Sequence, residues 1–256
     1  MKLSIVTAVL NSHEVVRRQM LHYEKMDLPD DTELIIVDDG SDPPLFDSVE
    51  KWFDDSESTF DFSMFATNNF RPWTQPAARN FGVKQAKGEF VLVTDIDHIL
   101  PKETIDIVRN NTEYDVIRFR RQVGVLDENG DFTQDMKVMR EYGLLPERKL
   151  KLPPHSNSFA IRKGLYLGLG GVSEQHVGTG KYPNREELPL KRQLRKLLEQ
   201  DRITMWDDKY RPRIYMFPNG QYCGDKNYNP FGLFHNESRS IRLSRKRQKA
   251  WQNSQS

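Results

Sequence analysis

The chain has 256 residues, of which 37% are hydrophobic and 29% are charged, and its formal net charge at pH 7 is +1. This composition is typical of a soluble globular protein and excludes a disordered or fibrous chain. The near-neutral balance gives no general reason to expect a nucleic-acid partner. The length allows one domain with a large core.

Cysteine content and hydropathy indicate the compartment. Cys223 is the only cysteine, so a disulfide within the chain is impossible and a reducing cytoplasm is expected. The apolar segment 3–10 is followed at once by polar and charged residues, as in a strand rather than a signal peptide. Because no apolar run approaches the roughly 20 residues that span a bilayer, we expect a cytoplasmic protein, free or held at a membrane surface.

The first half of the chain alternates apolar runs with amphipathic stretches. The apolar runs predict strands at residues 3–9, 33–37, 62–66 and 89–94. The amphipathic stretches predict helices at residues 14–23, 46–53, 76–86 and 103–109. This rhythm predicts an α/β fold with a mostly parallel central sheet flanked by helices. Ligands bind beyond the carboxyl ends of strands in such sheets, so the chemistry is expected there.

The second half is less regular. After residues 116–121 the alternation weakens, and proline and glycine divide a loop-rich region. A helix is predicted from about Glu186 to Gln200, since its leucines recur at helical spacing. A further strand is predicted at 211–217. From residue 238 the chain carries six basic residues and no acidic one.

Two aspartates follow the predicted strand at 89–94. Asp95 and Asp97 are one residue apart, and side chains at i and i+2 of a strand point to the same side. Both carboxylates can therefore face one divalent cation, such as Mg²⁺ or Mn²⁺, which prefers oxygen ligands and also binds diphosphate. Taken alone, the same spacing also fits a solvated strand end.

Two further segments carry polar residues at strand or helix ends. Asp38 and Asp39 follow the second predicted strand, where a carboxylate can accept hydrogen bonds from a base or a ribose, or can simply form a turn. Arg79 lies in the predicted helix at 76–86. Its guanidinium can brace the aspartates or meet a diphosphate, and the alternative is a cation on the helix surface.

Four segments together resemble family-2 glycosyltransferases in order and approximate spacing: TAVLN at 7–11, VDDGS at 37–41, ARNFG at 78–82 and TDID at 94–97. The resemblance implies the GT-A fold and transfer of a sugar from a nucleoside diphosphate, with UDP as the preferred carrier. It implies Asp95 and Asp97 as the metal-binding pair. The residues predicted at the nucleotide are Thr7, Ala8, Asn11, Asp38, Asp39, Arg79 and Asp95.

The catalytic base is sought in the second half. The segments at 155–162, 169–174 and 186–194 resemble the acceptor side of the same family, in which the second acid of a pair opening a helix is the base. By this resemblance Glu187 is the predicted base, and Glu174 and Glu186 remain alternatives. Acids in the first turn of a helix are also favoured by its dipole, without any catalytic role.

Two histidines are candidates for the metal site. By resemblance, His235 is predicted to complete the ligand set of Mn²⁺ or Mg²⁺, and His98 is a weaker candidate. Either imidazole can instead be packed in the core. Trp73 and Tyr182 are candidates for stacking on a sugar or a base, or for packing.

These observations define the expected organisation and its alternatives. Residues 1–237 are expected to form the GT-A domain, with a nucleotide-binding half at 1–100 and an acceptor-side half at 101–237. The basic tail at 238–256 can contact acidic lipid or nucleic acid.

The expected activity is inverting transfer to a hydroxyl of a glycan or glycoconjugate, with a nucleic-acid or protein acceptor as the alternative. A non-catalytic nucleotide-sugar-binding module is a rival. A sugar nucleotidyltransferase is disfavoured because VLNSH at 9–13 has no glycine where that class has a glycine-rich loop.

Overall fold

A computed structural model describes residues 2–52, 60–69, 71–144, 151–152, 157–178, 186–218 and 253. The strands are β1 (Leu3–Val9), β2 (Thr32–Asp38), β3 (Asp61–Ala66), β4 (Phe90–Asp95), β5 (His98–Ile99), β6 (Val116–Arg118), β7 (Arg120–Val123), β8 (Val125–Leu126), β9 (Phe132–Thr133), β10 (Lys151–Leu152), β11 (Phe159–Arg162), β12 (Met205–Trp206) and β13 (Arg213–Met216). The helices are α1 (His13–Met26), α2 (Leu45–Trp52), α3 (Gln75–Gln85), α4 (Lys102–Asn110), α5 (Met136–Glu141), α6 (Lys163–Gly168) and α7 (Leu188–Glu199).

The main sheet has seven strands among the described residues, in the order β12-β6-β11-β4-β1-β2-β3. The pairs β4-β1, β1-β2 and β2-β3 are parallel, whereas β11 runs antiparallel to both of its neighbours. Every residue of β1 and β2 is buried, as expected for parallel strands covered on both faces. The predicted mostly parallel sheet flanked by helices is confirmed.

Alternate residues of the central strands contribute to two cores on opposite faces of the main sheet. One core joins residues of β1 such as Leu3 and Ile5 to apolar side chains of α1, α2 and α4. The other joins Val6 and Ala8 to side chains of α3, α6 and α7. The period-two alternation of a strand therefore distributes the helices between the two faces.

A smaller sheet lies beside the main one, in the order β10-β7-β13-β5. Its strand β5 pairs antiparallel with β13, and β13 pairs parallel with β7. Its apolar residues Ile99 and Val123, together with Phe217 directly after β13, form a third core with Val15 of α1. This sheet begins three residues after β4 ends, so it helps to shape the end of the main sheet.

The sequence patterns locate most elements of the first half to within one or two residues at most ends. The second half differs more from expectation. The region predicted to be loop-rich contains β11 and α6, and β11 fills a central position in the main sheet between β4 and β6. Burial against both neighbours, rather than local periodicity, gives this short segment its place.

No helix in the described ranges combines the length and the apolarity that crossing a membrane requires. Cys223 and nearly all of the basic tail at 238–256 lie outside the described residues.

Candidate active site

The carboxyl ends of three parallel strands meet at one edge of the main sheet. Ala8 of β1 lies opposite Asp95 of β4 and Val37 of β2, and Val9 lies opposite Asp38. The backbone N–H of Asp39 donates to the carbonyl of Val9 at 2.8 Å. The register therefore brings the two aspartate-bearing segments to the same edge, on either side of β1.

Asp97 lies in a turn rather than in a strand. The i, i+2 spacing predicts that both aspartates share one strand, but β4 ends at Asp95 and β5 begins at His98. Pairing with the second sheet explains this turn, because the N–H of Phe217 donates to the carbonyl of Asp97 at 3.1 Å. The carboxylates still converge, and ligand atoms of Asp95, Asp97 and His98 all lie within 4.8 Å of one another.

This cluster has the chemistry of a divalent-cation site. Two carboxylates supply the oxygens that Mg²⁺ and Mn²⁺ prefer, and a neutral imidazole is a ligand for Mn²⁺. Burial lowers the pKa of His98 to about 4, although the Asp95 carboxylate opposes the shift, so the ring is neutral at pH 7. His98 Nδ1 lies 3.3 Å from Asp97 Oδ1 and 3.2 Å from Ser158 Oγ. The donor set therefore fits a cation.

Gln19 of α1 holds the turn that carries Asp97, and no motif indicated it. Its side chain is buried, and Nε2 donates to the carbonyl of Ile96 at 3.3 Å and to the carbonyl of His98 at 2.8 Å. These two carbonyls flank Asp97 in sequence. Only the contact between α1 and the turn, which are distant in sequence, reveals this role.

Arg79 links the candidate cation site, formed by Asp95, Asp97 and His98, to the start of α7. Its side chain is buried on α3, where Nη2 donates to Asp95 Oδ1 at 2.5 Å and Nη1 lies 3.9 Å from Glu186 Oε1. The alternative of a cation on the helix surface is thus excluded. Its position depends on α3 starting at Gln75 with Pro76 in the first turn, where a proline is compatible with a helix.

The acids Glu186 and Glu187 stand at the start of α7. Burial raises the pKa of Glu186, and the nearby Arg79 guanidinium opposes this shift. Glu186 is half-buried, whereas Glu187 is buried, and Glu187 Oε1 lies 3.9 Å from Lys191 Nζ one turn along the helix. The structure therefore brings Glu186 to Arg79, and through it to Asp95, while Glu187 faces Lys191.

The two neighbouring aspartates after β2 have different surroundings. Both carboxylate oxygens of Asp38 accept backbone N–H groups, from Ser41 and Leu45, each at 2.8 Å. Asp38 thus orders the loop that leads into α2. The Asp39 carboxylate accepts from the hydroxyl of Thr74 at 2.7 Å, just before α3. A nucleotide contact of either residue stays a prediction.

Glu174 lies in a separate hydrogen-bonded network. Asn80 Nδ2 donates to Glu174 Oε1 at 2.7 Å and to the carbonyl of Val172 at 2.9 Å, while Asn80 Oδ1 accepts from the Tyr166 hydroxyl at 2.7 Å. A side chain at Gly171 would collide with Asn80, since its Cβ would lie 2.4 Å from Oδ1. Asn80 neighbours Arg79, so this network attaches the loop of Glu174 to α3.

Three of the remaining candidates lie at or just after the end of β1. Thr7 and Ala8 are buried at the end of β1, and the Thr7 hydroxyl donates to the carbonyl of Thr94 at 3.2 Å. Asn11 has a φ of 51° and its side chain accepts from the N–H of Asp42 at 2.7 Å, so it braces the loop after β1.

Trp73 is half-buried before α3. The predictions for His235 and Tyr182 fall outside the described residues.

A family model identifies the family to which the chain belongs. The model described as glycosyl transferase family 2 matches residues 4–159. The chain belongs to glycosyl transferase family 2. The match contains the ends of β1, β2 and β4 together with α3. The acid pair of α7 lies beyond the matched residues.

Similar proteins agree with this family. The poly(ribitol-phosphate) beta-N-acetylglucosaminyltransferase TarS of Staphylococcus aureus is 33% identical over 106 residues, which are 41% of this chain and 18% of TarS. The crystal structure of TarS 1-349 in complex with UDP has a TM-score of 0.55 at 22% identity, covering 86% of this chain and 62% of that one. This chain therefore spans less than two thirds of these relatives.

A mannosyltransferase of Pyrobaculum calidifontis, in complex with GDP-Man and Mn²⁺, has a TM-score of 0.56 at 15% identity, covering 86% of this chain and 58% of that one. At these identities the structural likeness shows the GT-A fold. The predicted family and fold are therefore confirmed for this family-2 chain.

Proposed function

We propose that this family-2 chain transfers a sugar from a nucleoside-diphosphate sugar, UDP-linked by preference, to a hydroxyl of a glycan or glycoconjugate. The observation that carries the proposal is the clustering of Asp95 with Asp97 together with the ion pairs that link Asp95 through Arg79 to Glu186. The same site thus combines groups that could bind a cation, stabilise a diphosphate and take the proton of an acceptor hydroxyl. Complexes of similar proteins with UDP, UDP-GlcNAc and GDP-Man support a nucleotide-sugar donor.

Asp95, Asp97 and His98 would hold the divalent cation, Mn²⁺ or Mg²⁺. Such an ion, when bound, neutralises negative charge on the departing diphosphate. Arg79 keeps the Asp95 carboxylate in place and adds a permanent positive charge beside it. The mannosyltransferase complex with Mn²⁺ supports the choice of metal. His235 stays a proposed additional ligand on the resemblance alone.

The nucleotide is proposed to lie across the end of β1, between the segments that follow β2 and β4. Thr7 and Ala8 lie at the end of β1 and Asn11 follows it, so these residues would border the nucleotide. Asp39 would supply a buried carboxylate for a base or ribose donor. Because Asp38 uses both oxygens on backbone N–H groups, we assign it the indirect role of shaping the loop.

We propose that the acid pair at the start of α7 supplies the base that takes the proton of the attacking hydroxyl. A carboxylate whose pKa is raised by burial is a stronger base near neutral pH, which favours Glu186. The family resemblance favours Glu187. Glu174 is the third candidate and is held by Asn80 rather than by Arg79.

The proposed domain covers residues 1–237, divided near residue 100 into nucleotide-binding and acceptor-side halves. The second half supplies the acid pair and the first half supplies the candidate cation site, so both halves are needed for transfer. A cytoplasmic protein, free or held at a membrane surface by the basic tail, remains the proposed location.

The base is tested by comparing the single variants Glu186→Gln, Glu187→Gln and Glu174→Gln in donor hydrolysis and sugar transfer. The variant that removes the base should lose about 10²- to 10⁴-fold in kcat and the ascending acid limb of its pH profile, with donor affinity retained. The two other variants should keep that limb. Full activity in all three variants would contradict a base from these acids.

Donor turnover also separates the proposal from its rivals. Metal-dependent hydrolysis of a UDP-sugar, in the absence of acceptor, would exclude a non-catalytic binding module. Formation of a nucleotide-sugar from a nucleoside triphosphate and a sugar phosphate would instead indicate a nucleotidyltransferase. If Asp97→Ala retained full transfer in metal-replete buffer, the proposed role of the cation would be wrong.

A further inference from the structure

Helix α7 presents a concentration of positive charge next to the proposed base. Its twelve residues include four basic side chains, Lys191, Arg192, Arg195 and Lys196, and one acidic side chain, Glu199. Leu190 and Leu194 face the core, which leaves Arg192, Arg195 and Lys196 exposed to solvent. The helix therefore packs on one face and carries cations on the other.

One row of these cations begins at the acid pair. Lys191 follows Glu187 by four residues and Arg195 follows Lys191 by four, so the three side chains lie above one another along the helix. Lys191 Nζ is 3.9 Å from Glu187 Oε1. At about 1.5 Å per residue, Arg195 lies roughly 12 Å along the helix axis from Glu187.

A third cation from the main sheet joins this row. Burial lowers the pKa of Lys191, and the positive charges of Arg118 and Arg195 lower it further, while Glu187 opposes them. Val116 of β6 packs in the same core as Leu190 and Leu194 of α7. Arg118 is two residues further along β6, so its side chain points to the same side of the main sheet as α7. We call Arg118, Lys191 and Arg195 the α7 cationic row.

The acids nearby do not fully compensate this charge. Arg118 pairs with Asp207 at 2.6 Å and Lys191 lies 3.9 Å from Glu187. Arg195 has no ion pair with any acid of the described chain, and neither do its neighbours Arg192 and Lys196. Converging cations with surplus charge form a local positive potential that attracts anions.

We propose that the α7 cationic row binds the acceptor, and that the acceptor is a glycan chain bearing phosphate or carboxylate groups at intervals. This inference rests on the proposed function and names the acceptor class of that site. The row starts at the acid pair and leads away from it, so it contacts the acceptor beyond the reacting hydroxyl. Its length suits a repeating anion better than a single phosphate.

Two other polyanions fit α7 less well. Single-stranded nucleic acid is usually held by aromatic side chains that stack on its bases, and α7 contains none. A membrane surface requires a broad apolar face beside the cations, whereas Leu198 is the exposed leucine of α7 and the other leucines are buried or half-buried. A charged glycan needs neither feature.

The test measures binding of labelled polymers to the full chain in the presence of UDP and Mn²⁺. The probes are inorganic polyphosphate, polygalacturonate and neutral dextran of similar length, with single-stranded DNA and anionic vesicles as competitors. We expect polyphosphate or polygalacturonate to bind, dextran not to bind, and added salt to weaken binding. The two anionic probes distinguish phosphate from carboxylate recognition.

Matched variants locate the binding surface. The double variant Lys191→Gln/Arg195→Gln should weaken binding of the anionic polymer roughly tenfold, since two ion pairs with the polymer are lost, and this change corresponds to about 1.4 kcal/mol. The control Lys84→Gln/Lys137→Gln removes the same charge from exposed positions on α3 and α5 and should leave binding unchanged. A melting-temperature shift on adding UDP-sugar should be the same in both variants.

Several outcomes would overturn the inference. Anionic polymers that bind no better than dextran would do so, as would equal losses in the two double variants. DNA or vesicles that displace the polymer from the row and bind more tightly would assign the row to that partner instead. Failure of the proposed function is a different result, namely the absence of any UDP-sugar shift in the unsubstituted protein.

Discussion

At the scale of single residues, His98 of the candidate cation site makes the stability of the folded protein depend on pH. Its ring is buried beside two carboxylates, and burial keeps its pKa at about 4, well below the usual 6.5. In the unfolded chain the ring takes up a proton near pH 6.5, whereas in the folded protein it stays neutral until about pH 4. Lowering the pH through this window therefore favours unfolding.

We predict that His98 makes the protein less stable by about 2 kcal/mol at pH 5 than at pH 7.5, because one pKa unit corresponds to about 1.4 kcal/mol. The measurement is urea unfolding at both pH values in the presence of EDTA. The His98→Asn variant should lack this part of the pH dependence. Identical pH dependence in the two proteins would show that the buried ring does not titrate in this way.

Residue roles were only partly predictable from the sequence. Asp38 and Asp39 are adjacent and chemically identical, yet one supports a loop through two backbone N–H groups and the other accepts from Thr74. A one-dimensional motif cannot separate them, because the difference depends on which way each side chain leaves the end of β2. The same applies to Glu186 and Glu187.

At the scale of elements, α1 supports the candidate cation site. Gln19 reaches the carbonyls on either side of Asp97, so the geometry of the turn depends on a helix that supplies no ligand of its own. Residues that orient metal ligands commonly affect affinity as strongly as weak ligands do. Gln19 is therefore a positioning residue.

We predict that Gln19→Met weakens binding of Mn²⁺ by about 10- to 100-fold, because methionine fills the space but cannot donate to the two carbonyls. Binding is measured by electron paramagnetic resonance titration without donor, so that catalysis does not enter the result. Gln85→Met on the exposed side of α3 is the matched control. Unchanged affinity in Gln19→Met would remove Gln19 from the support of the turn.

The contact between α3 and the main sheet depends on a glycine. A Cβ added at Gly82 would lie 2.6 Å from Val6 Cγ1 and 2.9 Å from Val37 Cγ2, whereas one added at Gly164 of α6 meets nothing within 4 Å. Close approach of α3 to β1 and β2 therefore needs Gly82. Arg79 lies on the same helix as Gly82, so this contact also holds Arg79 against Asp95 of β4.

We predict that Gly82→Ala lowers the free energy of unfolding by about 1 to 3 kcal/mol, as is usual for overpacking of a core. Gly164→Ala should leave stability unchanged or raise it by up to about 1 kcal/mol, since alanine favours a helix. Urea unfolding of the two variants provides the comparison. Equal effects would mean that the helix and sheet can move apart without cost.

At the scale of the whole molecule, the site joins parts of the fold that are distant in sequence. The main sheet supplies Asp95, the second sheet anchors Asp97 through Phe217, and α7 supplies the acid pair. A ligand that contacts all three parts binds only the folded chain. Such a ligand stabilises the native state by RT ln(1 + [L]/Kd), where [L] is the free ligand concentration.

We predict that a UDP-sugar at about 100 times its Kd, with Mn²⁺ present, stabilises the protein by about 2.7 kcal/mol and raises Tm by roughly 5 to 11 °C. Asp97→Asn should remove most of the metal-dependent part of this shift. Thermal unfolding with and without EDTA measures both. A full shift in EDTA would show that the donor binds without the cation.

The sequence by itself determined the family, the strand-helix rhythm of the first half and the residue types of the site. These follow from local periodicity and from four short motifs. Each motif is contained in one short segment of the chain, three of them at the end of a strand and one in the middle of α3. Only the tertiary structure decided the central place of β11, the support of Asp97 by Gln19, and the pairing of Arg79 with both Asp95 and Glu186. These features depend on contacts between segments far apart in the chain, and the burial and hydrogen bonds that select among such contacts exist only once the sheet has formed.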